Sequence, residues 1–165
     1  MTGCFSQTIY NTMRYPVTMD LNRSSRWDLH WLNVADAFLL MSKDPSTKVG
    51  AVLSTNKELV SSGFNGLPSS IEDTDEILHN REKKLELVVH AEMNAILRAG
   101  LNSHGCDLYI AGFAGPCIHC CKHIVAAGIK RVVVYRNVPV ADRWKESLKG
   151  SQDLLEKSGV KFDAV

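Results

Sequence analysis

Two short segments of this chain contain residues whose types and spacing could do chemistry. One reads His-Ala-Glu at residues 90–92, and the other reads Pro-Cys-Ile-His-Cys at residues 116–120. Cys117 and Cys120 lie three positions apart, so their thiols share one face if a helix begins there. The positive end of that helix dipole would favour the thiolates, which are the metal-binding forms. Together with His90, the two cysteines predict a site for one metal ion.

Three protein ligands are typical of a catalytic zinc ion, because structural zinc ions usually have four. The open position holds a water molecule whose pKa the ion lowers toward ~7. Glu92 is the candidate to take up the proton of that water and to deliver it elsewhere. The order His-x-Glu and then Pro-Cys-x-x-Cys is the signature of zinc deaminases. The sequence therefore predicts Zn²⁺ as cofactor, His90, Cys117 and Cys120 as its ligands, and Glu92 as the catalytic residue.

Other interpretations of these motifs remain open at this point. A Cys-x-x-Cys pair alone could be a redox dithiol, a His-x-Glu pair alone is usually an ordinary helix start, and a zinc site without catalysis would be a binding module. His119 lies between the two cysteines and should point away from their shared face. Cys121 is expected to be a small buried residue. A second zinc site could be built from other histidines and cysteines, among which His79, His104 and Cys106 look like loop residues.

Composition limits the classes of partner and the cellular compartment. The 19 Lys+Arg and 18 Asp+Glu give a net charge of +1, which does not favour a polynucleotide but allows a small anionic substrate. No apolar run approaches the ~20 residues that span a bilayer, and the N-terminus has no signal-peptide pattern. The odd total of five cysteines, crowded at residues 117–121, favours metal or catalytic use in a reducing compartment. We therefore expect a cytoplasmic protein without a membrane partner.

Periodicity and breaker residues predict the elements that position these motifs. Residues 1–24 lack a clear period and form an N-terminal extension, and residues 25–165 form one domain. Ser25 is the predicted N-cap of a first helix, and Asp44-Pro45 is predicted to stop it. The predicted elements that follow are a hairpin of strands at 49–54 and 58–62, helices at 72–87 and 90–98, a strand at 107–111, a helix at 118–127, a strand at 131–135, a helix at 142–158 and a strand at 160–162. Alternating strands and helices predict an α/β, three-layer α/β/α fold with a mixed five-stranded sheet.

Three blocks of the chain resemble the deoxycytidylate (dCMP) deaminases of the cytidine deaminase-like superfamily. They read DPSTKVGAV at residues 44–52, GFNGLP at 63–68 and VHAEMNAI at 89–96, and the resemblance extends over residues 27–162. It implies the cytidine deaminase-like fold, and hydrolysis of dCMP to dUMP and ammonia, which supplies dUMP for thymidylate synthesis. It also implies a homo-oligomer, since family members commonly form hexamers.

The same resemblance implies which residues bind the substrate. Asn65 would bind the sugar or the edge of the base, and the backbone N–H of Ala91 would bind the base carbonyl. Ser46 and Lys48 are the candidates for the phosphate, as donor and as charge. Tyr135, at the end of its strand, could line the pocket or pack in the core.

Some segments depart from the family pattern. Ser70 stands where a glycine is usual, in a loop region that family members use for regulation by dCTP and dTTP. The connection over residues 109–116 is two residues longer than usual, and residues 72–84 differ from the better-known members. The alternatives are therefore a deaminase of the same fold that acts on dCTP, a 5-substituted dCMP, guanine or a pterin-pathway pyrimidine.

Overall fold

A computed structural model of the chain describes residues 23–165, with side chains from residue 26 onward. The predicted N-terminal extension at residues 1–24 therefore lies almost entirely outside the described residues. The elements are α1 (Arg23–Leu39), β1 (Gly50–Thr55), β2 (Glu58–Phe64), α2 (Asp75–His79), α3 (Arg81–Leu87), α4 (Ala91–Ala99), a 3₁₀ turn (Gly100–Ser103), β3 (Asp107–Ala111), α5 (Ile118–Ala126), β4 (Arg131–Val134), α6 (Asp142–Lys157) and β5 (Lys161–Ala164). Within the described residues, no helix is long and apolar enough to cross a membrane.

The five strands form one mixed sheet in the order β2-β1-β3-β4-β5. Strand β1 is antiparallel to both β2 and β3, whereas β3, β4 and β5 are parallel. The parallel strands are connected through α5 and α6, as expected for strands that need a helical crossover. The prediction of a mixed five-stranded sheet is confirmed.

Side chains alternate between the two faces of the sheet and so produce three layers. Val52, Tyr109 and Val133 point to the face covered by α1, where they pack with Trp31 and Leu32. The next residues along the strands point to the opposite face and pack with α4, α5 and α6 in a larger cluster. The three-layer prediction is confirmed, and the larger cluster contains the starts of α4 and α5 that carry the two motifs.

Two helix predictions were wrong in extent. Residues 72–87 form two short helices rather than one, because Asn80 adopts an extended conformation between them and its side chain accepts a hydrogen bond from the Lys83 N–H. The Thr74 side chain likewise caps the start of α2. The first helix begins at Arg23, so Ser25 is not its N-cap. It ends at Leu39, several residues before the proline, because the chain turns there and the buried Ser42 hydroxyl binds the Asn65 carbonyl at 2.8 Å.

Gly50 is where α1 approaches the sheet most closely. A Cβ atom at Gly50 would lie 1.9 Å from the Ala35 carbonyl oxygen and 2.7 Å from the Leu39 nitrogen, both backbone atoms. Because the helix would have to move, we expect Gly50→Ala to lower the free energy of unfolding by about 3 kcal/mol, as measured by urea denaturation. The matched control is Gly150→Ala in α6, whose Cβ would meet nothing closer than 3.7 Å. That control should leave stability unchanged or raise it by up to ~1 kcal/mol. Equal stability of Gly50→Ala and the control would contradict this description of the α1 contact.

Candidate metal and catalytic site

The three predicted metal ligands meet where α4 and α5 begin. His90 is the N-cap residue of α4, Cys117 is the N-cap residue of α5, and Cys120 lies one turn further along α5. The His90 Nδ1 atom is 3.5 Å from the Cys117 Sγ and 3.2 Å from the Cys120 Sγ. All three ligand atoms lie within 4.8 Å of one another. Within residues 26–165, no other group of three His, Cys, Asp or Glu side chains is placed to hold a metal ion, so the second zinc site has no support there.

The donor set and its spacing fit zinc. One imidazole nitrogen and two thiol sulfurs are the borderline-soft ligands that zinc prefers. Ligand atoms at typical zinc distances and tetrahedral angles are ~3.6 Å apart, close to the two nitrogen–sulfur distances of His90. His90, Cys117 and Cys120 would therefore hold the ion.

Hydrogen bonds within this group already favour a thiolate. The Cys120 thiol and the His90 ring bind Cys117 and hold the pKa of the Cys117 thiol well below its usual value. The same contact with Cys117 raises the pKa of Cys120 and that of His90. A metal ion entering the group would replace these shared protons, as expected for ligands that must deprotonate to bind.

Glu92 lies in the first turn of α4, beside the three ligands. It is buried, with 4% of its surface exposed. Burial raises the pKa of the Glu92 carboxyl, and the group is in hydrogen-bond contact with the Cys120 thiol. Burial therefore favours the protonated form of Glu92, and a carboxyl group that can take up a proton is what general acid–base catalysis requires.

Polar contacts from other elements hold the two helix starts in place. The Ser147 hydroxyl of α6 accepts a hydrogen bond from the Ile118 N–H at 3.1 Å, at the first residue of α5. The Asn94 amide donates to the Phe64 carbonyl at 2.8 Å and joins α4 to β2. Sequence reasoning missed Ser147, because nothing near it in the chain indicates a contact with α5.

The two other polar residues of the cysteine motif face elsewhere. His119 is exposed, and its carbonyl accepts a hydrogen bond from the His123 ring. Cys121 is buried, and its thiol donates to the Ser151 carbonyl at 3.3 Å. Neither residue belongs to the group that could hold a metal ion.

One cavity connects the metal group with the loop at residues 63–68, through Asn65. His90, Cys117 and Glu92 line it. Three of the residues predicted to bind substrate, Ser46, Asn65 and Ala91, line the same cavity. Ala91 is the first residue of α4, where backbone N–H groups have no partner within the helix.

Asn65 holds the loop before β1 and still faces the cavity. Its Oδ1 accepts a hydrogen bond from the Val49 N–H, and its Nδ2 donates to the Thr47 carbonyl, both at 2.8 Å. A carboxamide has four hydrogen-bonding positions, so one N–H and one lone pair of Asn65 remain for a ligand.

Lys48 and Tyr135 are not brought to the cavity. Lys48 is exposed and does not contribute to the cavity wall. Tyr135 lies on the α1 side of the sheet, where its hydroxyl donates to the Asp36 carboxylate at 2.8 Å. Side chains alternate along a strand, so Tyr135 points to the same face as Val133, and Val134 points to the opposite face.

A buried ion pair beside the cavity was not predicted. The Lys84 ammonium group of α3 lies 3.1 Å from the Asp44 Oδ1 and 3.0 Å from the Ser46 Oγ. Burial raises the pKa of Asp44, but hydrogen bonds from the Ser46 and Thr47 amides, the Ser46 hydroxyl and Lys84 together hold it below its usual value. Asp44 therefore remains a carboxylate that neutralises Lys84 and orients Ser46 at the cavity wall.

Two arginines and two aromatic residues also line the cavity, and none of the four was named as a site residue from the sequence. Arg81 comes from α3, and Arg143 and Trp144 come from the first turn of α6. Phe113 belongs to the connection between β3 and α5. Its ring meets the Trp144 ring edge to face at 5.3 Å between centroids. This connection therefore places an aromatic side chain in the wall of the cavity that His90 and Cys117 also line.

Comparison with known proteins agrees with this site. Residues 25–136 match the model of the family described as the cytidine and deoxycytidylate deaminase zinc-binding region. A deoxycytidylate deaminase of Mus musculus is 35% identical over 147 residues, which cover 82% of this chain and 78% of the relative. A protein of Aliivibrio fischeri named as an uncharacterised deaminase in the luxG 3′ region is 39% identical over 140 residues, covering 82% of this chain and 91% of the relative.

Solved structures support the fold. The apo dCMP deaminase from the cyanophage S-TIM5 superposes with a TM-score of 0.66 at 23% identity, covering 88% of this chain and 100% of that chain. The structure of the S-TIM5 enzyme in complex with dCMP and dUMP gives a TM-score of 0.64 at 24% identity, with 88% and 99% coverage.

Proposed function

The chain belongs to the family of the cytidine and deoxycytidylate deaminase zinc-binding region, and from this membership we propose that it hydrolyses dCMP to dUMP and ammonia. The observation that carries the proposal is the buried Glu92 carboxyl beside His90, Cys117 and Cys120, in the wall of a cavity. A purely structural metal site has no need of a free carboxyl group there, whereas a hydrolytic site does.

The residues of the site divide the chemistry among them. Zinc, when bound, supplies a Lewis acid that lowers the pKa of a water molecule. Glu92 accepts the proton of that water as a new bond forms between its oxygen and the amino-bearing ring carbon. The Glu92 carboxyl gives this proton to the ring nitrogen. It then takes up the second proton, from the hydroxyl group now on the carbon, and gives it to the amine, which leaves as ammonia when the carbon–nitrogen bond breaks. The buried position of Glu92 keeps the proton between these groups rather than in bulk solvent.

The cavity wall provides contacts for the rest of the substrate. We assign the free N–H and lone pair of Asn65 to the sugar or the base edge, and the Ala91 N–H to the base carbonyl. Ser46 is held by Asp44 and Lys84 at the cavity wall. Lys48 and Tyr135 have no place in this assignment, since neither lines the cavity.

The test of the proposal is a panel of cytosine compounds assayed for ammonia release by the zinc-loaded protein. We expect turnover of dCMP, and values of kcat/KM at least about tenfold lower for dCTP, 5-methyl-dCMP and deoxycytidine. Preference for dCTP or 5-methyl-dCMP would support a related substrate of the same fold. No turnover of any compound would contradict the proposal and favour a zinc-binding module without catalysis.

Further features of the protein are proposals that rest on the family resemblance. They are assembly as a homo-oligomer, with a hexamer as the expected state, and regulation by dCTP and dTTP. A cytoplasmic location is favoured because cysteine ligands serve a metal best where thiols stay reduced. We propose that residues 1–24 form an N-terminal extension and that the deaminase domain comprises residues 25–165.

A further inference from the structure

The cavity wall contains more positive charge than its carboxylates neutralise. Three cations line it: Arg81 and Lys84 from α3, and Arg143 from α6. The two acidic residues of the wall are Asp44 and Glu92. Asp44 is paired with Lys84, and the side chains of both are about nine-tenths buried, with 9% and 10% exposed. Glu92 lies in the first turn of α4, beside the metal ligands.

The two arginines are therefore the uncompensated charges of the cavity. Both are exposed, and neither forms an ion pair with any carboxylate of residues 26–165. Two guanidinium groups without partners, on two separate helices at one cavity, attract a ligand with negative charge. Guanidinium groups bind phosphate through two parallel N–H donors, which gives both affinity and orientation.

We propose that Arg81 and Arg143 bind the 5′-phosphate of the nucleotide and so select a monophosphate over a nucleoside. This inference rests on the proposed function, because it assigns two residues of the same cavity wall to the phosphate of its substrate. A phosphate monoester carries about −1.5 to −2 charges at neutral pH, which two guanidinium groups balance. The longer anion of a triphosphate would leave charge without a partner in the wall.

Lys84 has a different task, although it is the most buried cation of the cavity. Its ammonium group is held by Asp44 and by the Ser46 hydroxyl, so it has less capacity for a ligand than the two arginines. It is a positioning residue that keeps Ser46 at the cavity wall. The exposed Lys48, predicted from sequence to supply the charge for the phosphate, lies outside the wall, and Arg81 and Arg143 take this role.

Binding of the product measures this selection without any turnover. The affinities of the zinc-loaded protein for dUMP and for deoxyuridine are determined by calorimetry, for the wild type and for Arg81→Ala, Arg143→Ala and the double variant. Loss of one charge-assisted contact is expected to weaken dUMP binding by about 10- to 100-fold, with a much smaller effect on deoxyuridine. In the double variant the preference for dUMP over deoxyuridine should nearly disappear.

The matched control is Arg26→Ala, which removes an exposed arginine of α1 that does not line the cavity. It should leave the dUMP affinity unchanged. An unchanged preference for dUMP in the double variant would overturn the inference, as would an equal loss of affinity for both ligands. Loss of the preference in Lys48→Ala but not in the arginine variants would overturn it too and return the phosphate to Lys48.

The outcome for the proposed function is separate. Ammonia release from dCMP combined with an arginine-independent dUMP affinity would overturn the phosphate assignment and leave the deaminase proposal standing. Arginine-dependent dUMP binding without ammonia release would support the phosphate assignment and contradict the deaminase proposal.

Discussion

Glu92→Gln is expected to lower kcat for dCMP by about 10²- to 10⁴-fold while zinc remains bound. Glutamine has nearly the same shape as glutamate, so it fits the buried position beside Cys120 without moving the start of α4. It cannot accept a proton from water or give one to the ring nitrogen and the departing amine. The measurement pairs steady-state kinetics with the zinc content of the purified protein.

The control for this substitution is Glu156→Gln, which changes an exposed glutamate of α6 that does not line the cavity. That variant should keep both the activity and the zinc of the wild type. Wild-type turnover in Glu92→Gln would refute the role of Glu92 as proton carrier. Loss of zinc in Glu92→Gln would show instead that the carboxyl group supports the metal group.

Cys120→Ser is expected to remove zinc and, with it, activity. The change leaves His90 and Cys117 as the remaining ligands of the group. Losing a residue that only hydrogen-bonds to a metal ligand typically weakens metal binding by up to about 100-fold, so losing a ligand itself should weaken zinc binding by more than that. Because zinc binds the folded chain, its loss should also lower the midpoint of thermal unfolding. Zinc content and thermal unfolding are measured with and without added zinc.

Cys121→Ser is the matched control for that change. Cys121 is the next residue along α5, but its thiol points to the Ser151 carbonyl, a contact that a serine hydroxyl can also make. This variant should retain about one zinc ion per chain. Zinc retained by Cys120→Ser and lost from Cys121→Ser would show that the wrong cysteine has been assigned as a ligand.

Local patterns predicted the elements that carry the metal ligands. The strand at residues 107–111 has the predicted bounds, and α4 and α5 begin within a residue of their predicted starts. These starts were visible because apolar periodicity and the Pro-Cys and His-x-Glu segments mark them in the chain. Because α4 and α5 begin near each other, His90 lies close to Cys117 and Cys120.

Contacts between distant segments were not predictable in the same way. Lys84 and Asp44 are 40 positions apart, and no local pattern shows that a lysine in a charged helix is buried. The break at Asn80 was overlooked because the charged run around it suggested one helix. Its capping contact with the Lys83 N–H shows that an asparagine inside such a run can begin a new helix.

The assignment of the phosphate contacts depended on the same kind of distant placement. The family resemblance indicated Lys48, which lies two residues before β1, as the charge for the phosphate. The cavity wall instead contains Arg81 and Arg143, from helices far away in the chain. The position of Tyr135 also could not be predicted from the local sequence. The sequence placed it at the end of a strand, but only the paired sheet shows that its side chain lies on the α1 face.

The most direct test of the central claim is a single mass balance. The zinc-loaded protein is incubated with dCMP, and dUMP is measured by chromatography while ammonia is measured by an enzyme-coupled assay. We predict that dUMP and ammonia appear in equal amounts as dCMP is consumed, and that Glu92→Gln forms neither at a comparable rate. Recovery of unchanged dCMP from the zinc-loaded wild type would contradict the claim that this chain is a dCMP deaminase.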